Sequence, residues 1–195
     1  MSNLLKRILF AVPAGAGFIG LTWLGSYYLA ILLLLLLLIG QYEINRLATK
    51  AGMPTNPGMV YIIGLWTFAV FMAPPLIWAG LVLVGLLVGM EIFLVKNELA
   101  ERVPHTFFWG IYGPLGFGAF FWIRNMGSDT EGFALALSVL LMVWFNDILA
   151  YLGGRFMGKT PMAPDISPNK TWEGFLFGVV GGGSGWVTSL DIVGG

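Results

Sequence analysis

Long apolar runs separated by short polar segments set the first expectation for this chain. Residues 8–42 carry no charge, which is too long for one crossing of a hydrocarbon core of about 30 Å at about 1.5 Å per residue. Gly25-Ser26 divides them into two spans, near 7–24 and 27–45. Residues 58–90 are again charge-free, and Pro74-Pro75 breaks them into spans near 57–73 and 75–95. A fifth span covers about 104–123, with Gly110, Gly113, Pro114, Gly116 and Gly118 along it, and a sixth covers 133–152. A seventh starts at Pro168 and runs to about Ser189. The leucine-rich run from Ile31 to Ile39 is apolar on every face, which predicts exposure to lipid.

The charges between the runs orient them. With the N-terminus inside, the inside segments hold Lys6, Arg7, Arg46, Lys50, Lys96, Arg102, Arg155, Lys159 and Lys170, and the outside segments hold only Arg124. Basic residues concentrate on the cytoplasmic side of membrane proteins, so the expected fold is an all-α, polytopic transmembrane helical bundle of about seven spans with a cytoplasmic N-terminus. Composition agrees: 57% of the residues are hydrophobic and 10% charged, where soluble domains carry about 25% charged residues. The absence of cysteine excludes a disulfide framework and a thiolate metal site. Lys6-Arg7 and the apolar run behind them look like a signal peptide, but a second apolar run follows Gly25-Ser26 with no small-x-small cleavage site, so a retained first span is expected. No internal repeat or soluble domain is visible. Residues 1–195 read as one transmembrane domain, 1–132 as scaffold spans and 133–195 as the motif-bearing part. Gly85/Gly89 and Gly178/Gly182 have a spacing that lets helix backbones approach closely, within the chain or across a homodimer face.

Candidate chemistry collects between Trp144 and Gly178, the densest polar stretch. Gly153 to Thr160 fits the P-loop pattern G-x-x-x-x-G-K-[ST], yet a P-loop follows a buried strand and opens a helix at its Lys-Thr. Here a membrane span precedes it, and Pro161 and Pro164 follow, so it reads as a glycine-rich basic turn able to approach phosphates. Asp147 stands inside an apolar run, where a carboxylate is costly. It either pairs with Arg155 or Lys159 or faces a metal or substrate in a wet cavity, and Tyr151, four residues on, shares its helix face. Ser167-Pro168 reads as a helix start, with Ser as N-cap and Pro at the first helical position. Lys170 and Thr171 would then sit in the first turn, where free N–H groups already favour an anion, making a phosphate cradle. Glu173 would pair with Lys170 or bind metal. His105, Glu43 and Glu91 lie near span ends and read as interfacial residues, and Trp109 and Trp122 as belt or packing aromatics.

Asp147, Ala150-Tyr151, Gly154-Arg155 and Gly158-Lys159, followed by Ser167-Pro168 and Lys170-Thr171-Trp172-Glu173-Gly174, resemble the phosphatidate cytidylyltransferase (CDP-diacylglycerol synthase) family. Their order is similar to that family's D-x-x-A-Y-x-x-G-R-x-x-G-K followed by S-P-x-K-T-W-E-G. The resemblance implies transfer of a cytidylyl group from CTP to phosphatidic acid, giving CDP-diacylglycerol and pyrophosphate in phospholipid biosynthesis, with a divalent metal such as Mg2+. It implies Lys170 and Asp147 as catalytic residues and Ser167, Thr171, Arg155, Lys159 and Tyr151 as phosphate-binding residues. Asp147 and Glu173 would be the metal ligands. It further implies an integral protein of the cell (inner) membrane with a cytoplasmic active face, CTP, phosphatidic acid and membrane lipids as partners, and no nucleic acid. The family's further spans, with a Lys-Asp loop and a His-Gly-Gly…Asp-Arg signature, have no counterpart in residues 1–195, so the chain is expected to be the N-terminal part of a longer architecture. The alternative from another class is a transporter or anionic-lipid-binding membrane protein without nucleotidyl transfer.

Overall fold

The computed structural model describes residues 3–94, 99–164 and 167–194. Lys96, and the side chains of Lys6, Arg7 and Pro168, lie outside the described residues. Among those described, helices occupy all of the predicted apolar segments: α1 (Asn3–Leu24), α2 (Ser26–Lys50), α3 (Pro57–Met72), α4 (Leu76–Leu94), α5 (Leu99–Arg124), α6 (Asp129–Met157) and α7 (Trp172–Gly194). Two short strands, β1 (Pro161–Ala163) and β2 (Ser167–Thr171), separate the last two helices. In α2, α4, α5 and α6 there are stretches long and apolar enough to cross a membrane, and the apolar helices Leu9–Leu24 and Pro57–Met72 are shorter. The protein is an all-α membrane protein apart from that hairpin.

The chain forms two compact units, Met1–Ile123 and Arg124–Gly195. In the first, Gly25 turns the chain between α1 and α2 with φ 81°, a conformation that suits glycine. The core packs Leu29, Ala30, Leu33 and Leu37 of α2 against Phe68 of α3 and Phe121 of α5. This corrects the expectation that the leucine run meets lipid all round. Leu33 and Leu37 are fully buried, while Ile31, Leu35 and Ile39 point outward. A uniformly apolar helix carries no mark of which face will pack, because lipid and protein are equally apolar neighbours.

The buried stripe of α2 continues at the same spacing into polar residues, Gln41 and Asn45. Gln41 donates to the carbonyl of Gly110, and Asn45 donates to the carbonyl of Gln41. Beside them Asn56 caps α3, accepting from the Met59 N–H at 3.3 Å, while Pro57 takes the first helical position. The Asn56 amide donates to Glu91, its N–H donates to the Thr106 hydroxyl, and Arg102 lies 3.8 Å from the Glu91 carboxylate. Glu91, near a span end, is therefore buried within the protein and partnered, while Glu43 is exposed.

The second unit begins with a capping box. Ser128 accepts from the Glu131 N–H, Glu131 accepts from the Ser128 N–H, and Arg124 pairs with Asp129 at 2.8 Å. With 29 residues, α6 reaches about 43 Å and outruns a bilayer core of about 30 Å. It extends through Gly153, Gly154 and Arg155, so the stretch that reads as a basic turn is helical up to Met157. These glycines serve packing. A Cβ on Gly153 would meet the Phe177 ring at 2.5 Å, and one on Gly154 would sit 3.3 Å from the Thr171 hydroxyl. From the other side, a Cβ on Gly174 would lie 2.8 Å from the Ala150 carbonyl, and one on Gly181 2.5 Å from the Phe145 carbonyl. Small residues thus bring the two backbones into near contact along α6 and α7. Gly178 belongs to this intramolecular seam, whereas among the described residues nothing lies within 4 Å of a Cβ at Gly85 or Gly89.

Candidate active site

The site grows from the point where α6 ends, the chain makes a hairpin, and α7 begins. β1 and β2 pair antiparallel, Pro161 opposite Thr171 and Ala163 opposite Ser167, with an irregular register between them. The Trp172 N–H closes the base by donating to the Thr160 carbonyl at 3.0 Å. Ser167 and Lys170 consequently lie on a strand, which corrects the expected helix start at Ser167-Pro168. Proline is tolerated there because a two-stranded ribbon leaves one edge of β2 unpaired. The helix begins four residues later, and Thr171 is its cap, accepting from the Gly174 N–H at 3.2 Å.

On α6, Asp147, Tyr151 and Arg155 repeat every four residues and form one stripe. The neighbouring positions Asn146, Ala150 and Gly154 face α7. The stripe opens onto a cavity of about 790 Å³. Its walls are completed by Lys170 and Thr171 of the hairpin, with Asn169, Met162 and Phe175. This volume falls within the roughly 300–1,000 Å³ of small-molecule sites. Arg155 is pre-aimed by its helix neighbour: Nη1 donates to the Tyr151 hydroxyl at 2.7 Å. Asp147 is exposed to the cavity and, among the described residues, has no cation partner; the Asn146 amide is 3.4 Å away. The expected alternative of an Asp147 ion pair with Arg155 or Lys159 is therefore not what forms.

Five of the expected residues line this one cavity: Asp147, Tyr151, Arg155, Lys170 and Thr171. Three do not. Ser167 is half-buried in β2, while Lys159 and Glu173 line a separate cavity of about 510 Å³ with Phe156, Met157, Leu176 and Phe177. Glu173 does not pair with Lys170. Its Oε2 accepts from the N–H groups of Lys159 and Thr160 at 3.1 and 3.2 Å, and its Oε1 from the Thr160 hydroxyl at 2.8 Å.

For a divalent metal, Asp147 offers a cavity-facing carboxylate whose one hydrogen bond is the 3.4 Å contact from Asn146, which fits Mg2+ bound by one or two carboxylates plus substrate phosphates. Glu173 fits less well, since both oxygens already accept hydrogen bonds and it faces away from that cavity. Among the described residues no three His, Cys, Asp or Glu side chains cluster. Asn146 and Asn169 carry no mark in the sequence that singles them out. Asn146 precedes the conspicuous Asp147, and Asn169 has no charge to draw notice.

A helical membrane protein with a cavity lined by one carboxylate and two basic side chains, where two close-packed helices meet, is the class that fold and site define. The chain belongs to the Cytidylyltransferase family, whose model matches residues 5–189. It is 30% identical over 188 residues to a phosphatidate cytidylyltransferase of Bacillus subtilis, covering 92% of this chain and 69% of that protein. It is 29% identical over 198 residues to one of Brucella abortus, covering 99% and 70%, and 29% over 182 residues to one of Staphylococcus aureus, covering 89% and 66%. No solved structure matches the chain.

Proposed function

We propose that this protein transfers the cytidylyl group of CTP to phosphatidic acid, giving CDP-diacylglycerol and pyrophosphate. The carrying observation is the gathering of Asp147, Tyr151, Arg155, Lys170 and Thr171 around one cavity. An oxygen of the lipid phosphate attacks the α-phosphorus of CTP. A new P–O bond forms, the bond from the α-phosphorus to its bridging oxygen breaks, and pyrophosphate leaves with that electron pair. No side chain need bond to phosphorus, so positioning and charge neutralisation dominate. Lys170 and Arg155 hold phosphate oxygens, the latter with the N–H groups that Tyr151 leaves free. The Thr171 hydroxyl accepts from Gly174 and keeps its own proton to donate. Asp147, with nucleotide phosphates, would hold Mg2+, which when bound supplies neutralising charge beside the leaving group.

We assign the active face to the cytoplasmic side of the cell (inner) membrane, where CTP is available and where the basic loop residues collect. A homodimer would use α4, where Gly85 and Gly89 leave space.

The test is CTP-dependent labelling of phosphatidic acid by the protein in lipid nanodiscs. Lys170→Ala removes a charge-assisted contact of about 1.5–3 kcal/mol, so kcat/KM should fall roughly 10- to 150-fold. Unchanged kcat/KM would remove Lys170 from the site. Lipid-phosphate binding without any CTP turnover by the parent protein would support the transporter or lipid-binding reading instead.

A further inference from the structure

We infer that Glu173 is a positioning residue, a latch that ties the end of α6 to the first turn of α7 and so sets where the hairpin presents Lys170. For its effect on turnover, this role rests on the cytidylyl-transfer reading.

The grip is local and complete. Four hydrogen bonds close the base of the hairpin, all joining residues 172–173 to residues 159–160. Glu173 makes three of them, and the fourth is the Trp172 N–H on the Thr160 carbonyl. Thr160 is therefore held by its N–H, its hydroxyl and its carbonyl at once, immediately before the Pro161–Thr171 pair that opens the ribbon. Without the carboxylate, the Trp172 bond and the Thr171 cap are what would remain at this junction among the described residues. Lys170 stands next to Thr171, so a shift of the base moves its ammonium relative to Asp147 and Arg155 in the cavity. Glu173 itself lines the other cavity, and its carboxylate's hydrogen bonds go to Lys159 and Thr160 rather than to the Asp147 stripe. It accordingly acts through Lys170 rather than on substrate. A cation at Glu173 would have to displace the two N–H donors and the O–H donor already seated on its oxygens.

The experiment has two arms, both on the full protein in nanodiscs. The first measures amide hydrogen exchange at Lys159 and Thr160, without ligand, in the parent and in Glu173→Gln and Glu173→Asp. Loss of the carboxylate's charge predicts exchange about tenfold faster at both amides in Glu173→Gln, with Glu173→Asp intermediate. The second measures kcat, KM for CTP and the Mg2+ half-saturation. KM should rise and the Mg2+ half-saturation stay unchanged. A raised Mg2+ requirement with unaltered exchange makes Glu173 a metal ligand and overturns the latch. A lower kcat at unchanged KM, reporting only fewer folded molecules, overturns it too. Should Glu173→Gln not fold, Thr160→Val removes one of the three bonds, and unchanged exchange at Thr160 would count against the latch. A parent protein without cytidylyl transfer sinks the functional reading alone, since the exchange arm needs no substrate.

Discussion

The close approach of α6 and α7 can be tested with a single methyl group. Gly174→Ala places a Cβ 2.8 Å from the Ala150 carbonyl oxygen and 3.0 and 3.1 Å from the Gly154 Cα and N. All three are main-chain atoms of α6, which cannot rotate away as a side chain would. An ordinary Cβ contact begins at 3.4 Å, so the two helices must part by about half an ångström at this level. Forcing a methyl into a filled contact costs about 1–3 kcal/mol, while replacing a helical glycine by alanine returns about 1 kcal/mol. The net expectation is a loss of about 1 kcal/mol. Gly183→Ala is the matched control, because no described atom lies within 4 Å of its Cβ; it should gain about 1 kcal/mol from propensity alone. The difference between the variants, about 2 kcal/mol, is read by thermal denaturation in detergent or nanodiscs. Gly174 also lines the cavity, so the first variant should lose activity and the second keep it. Equal stability of the two alanine variants would refute the seam.

A further outcome follows from the buried carboxylate Glu91. Glu91→Leu strands the Asn56 amide and the Arg102 guanidinium, and an unsatisfied buried group costs about 1–3 kcal/mol, so it should melt earlier than Glu91→Gln, which keeps an acceptor; matching melting temperatures would contradict the polar cluster.

Much of the candidate site is legible in the linear chain. The positions of Asp147, Tyr151, Arg155, Lys170 and Thr171 stand out because charge and hydroxyl are rare in so apolar a protein. Four-residue spacing then puts the first three on one helix face. Asn146 and Asn169 are not legible, because a neutral amide beside a charged residue leaves no compositional mark. Nor is the destination of Glu173. Its partners are two backbone amides and a hydroxyl thirteen and fourteen residues away, brought near only by the hairpin.

The sequence by itself determined that this is a helical membrane protein and where its apolar segments lie, because run length against bilayer thickness and the distribution of charge are properties of the linear chain. Tertiary structure decided which faces pack. The leucines of α2 look alike in one dimension, yet Leu33 and Leu37 are buried and Leu35 is not. It also decided that Gly153 and Gly154 are packing surfaces inside a helix rather than a turn, since a glycine reads the same whether it spares a φ angle or a neighbour's backbone. Finally it decided that Ser167 and Lys170 lie on a strand. Local capping propensity favoured a helix start at Ser167, and the cross-strand pairing with residues 161–163 overrode it.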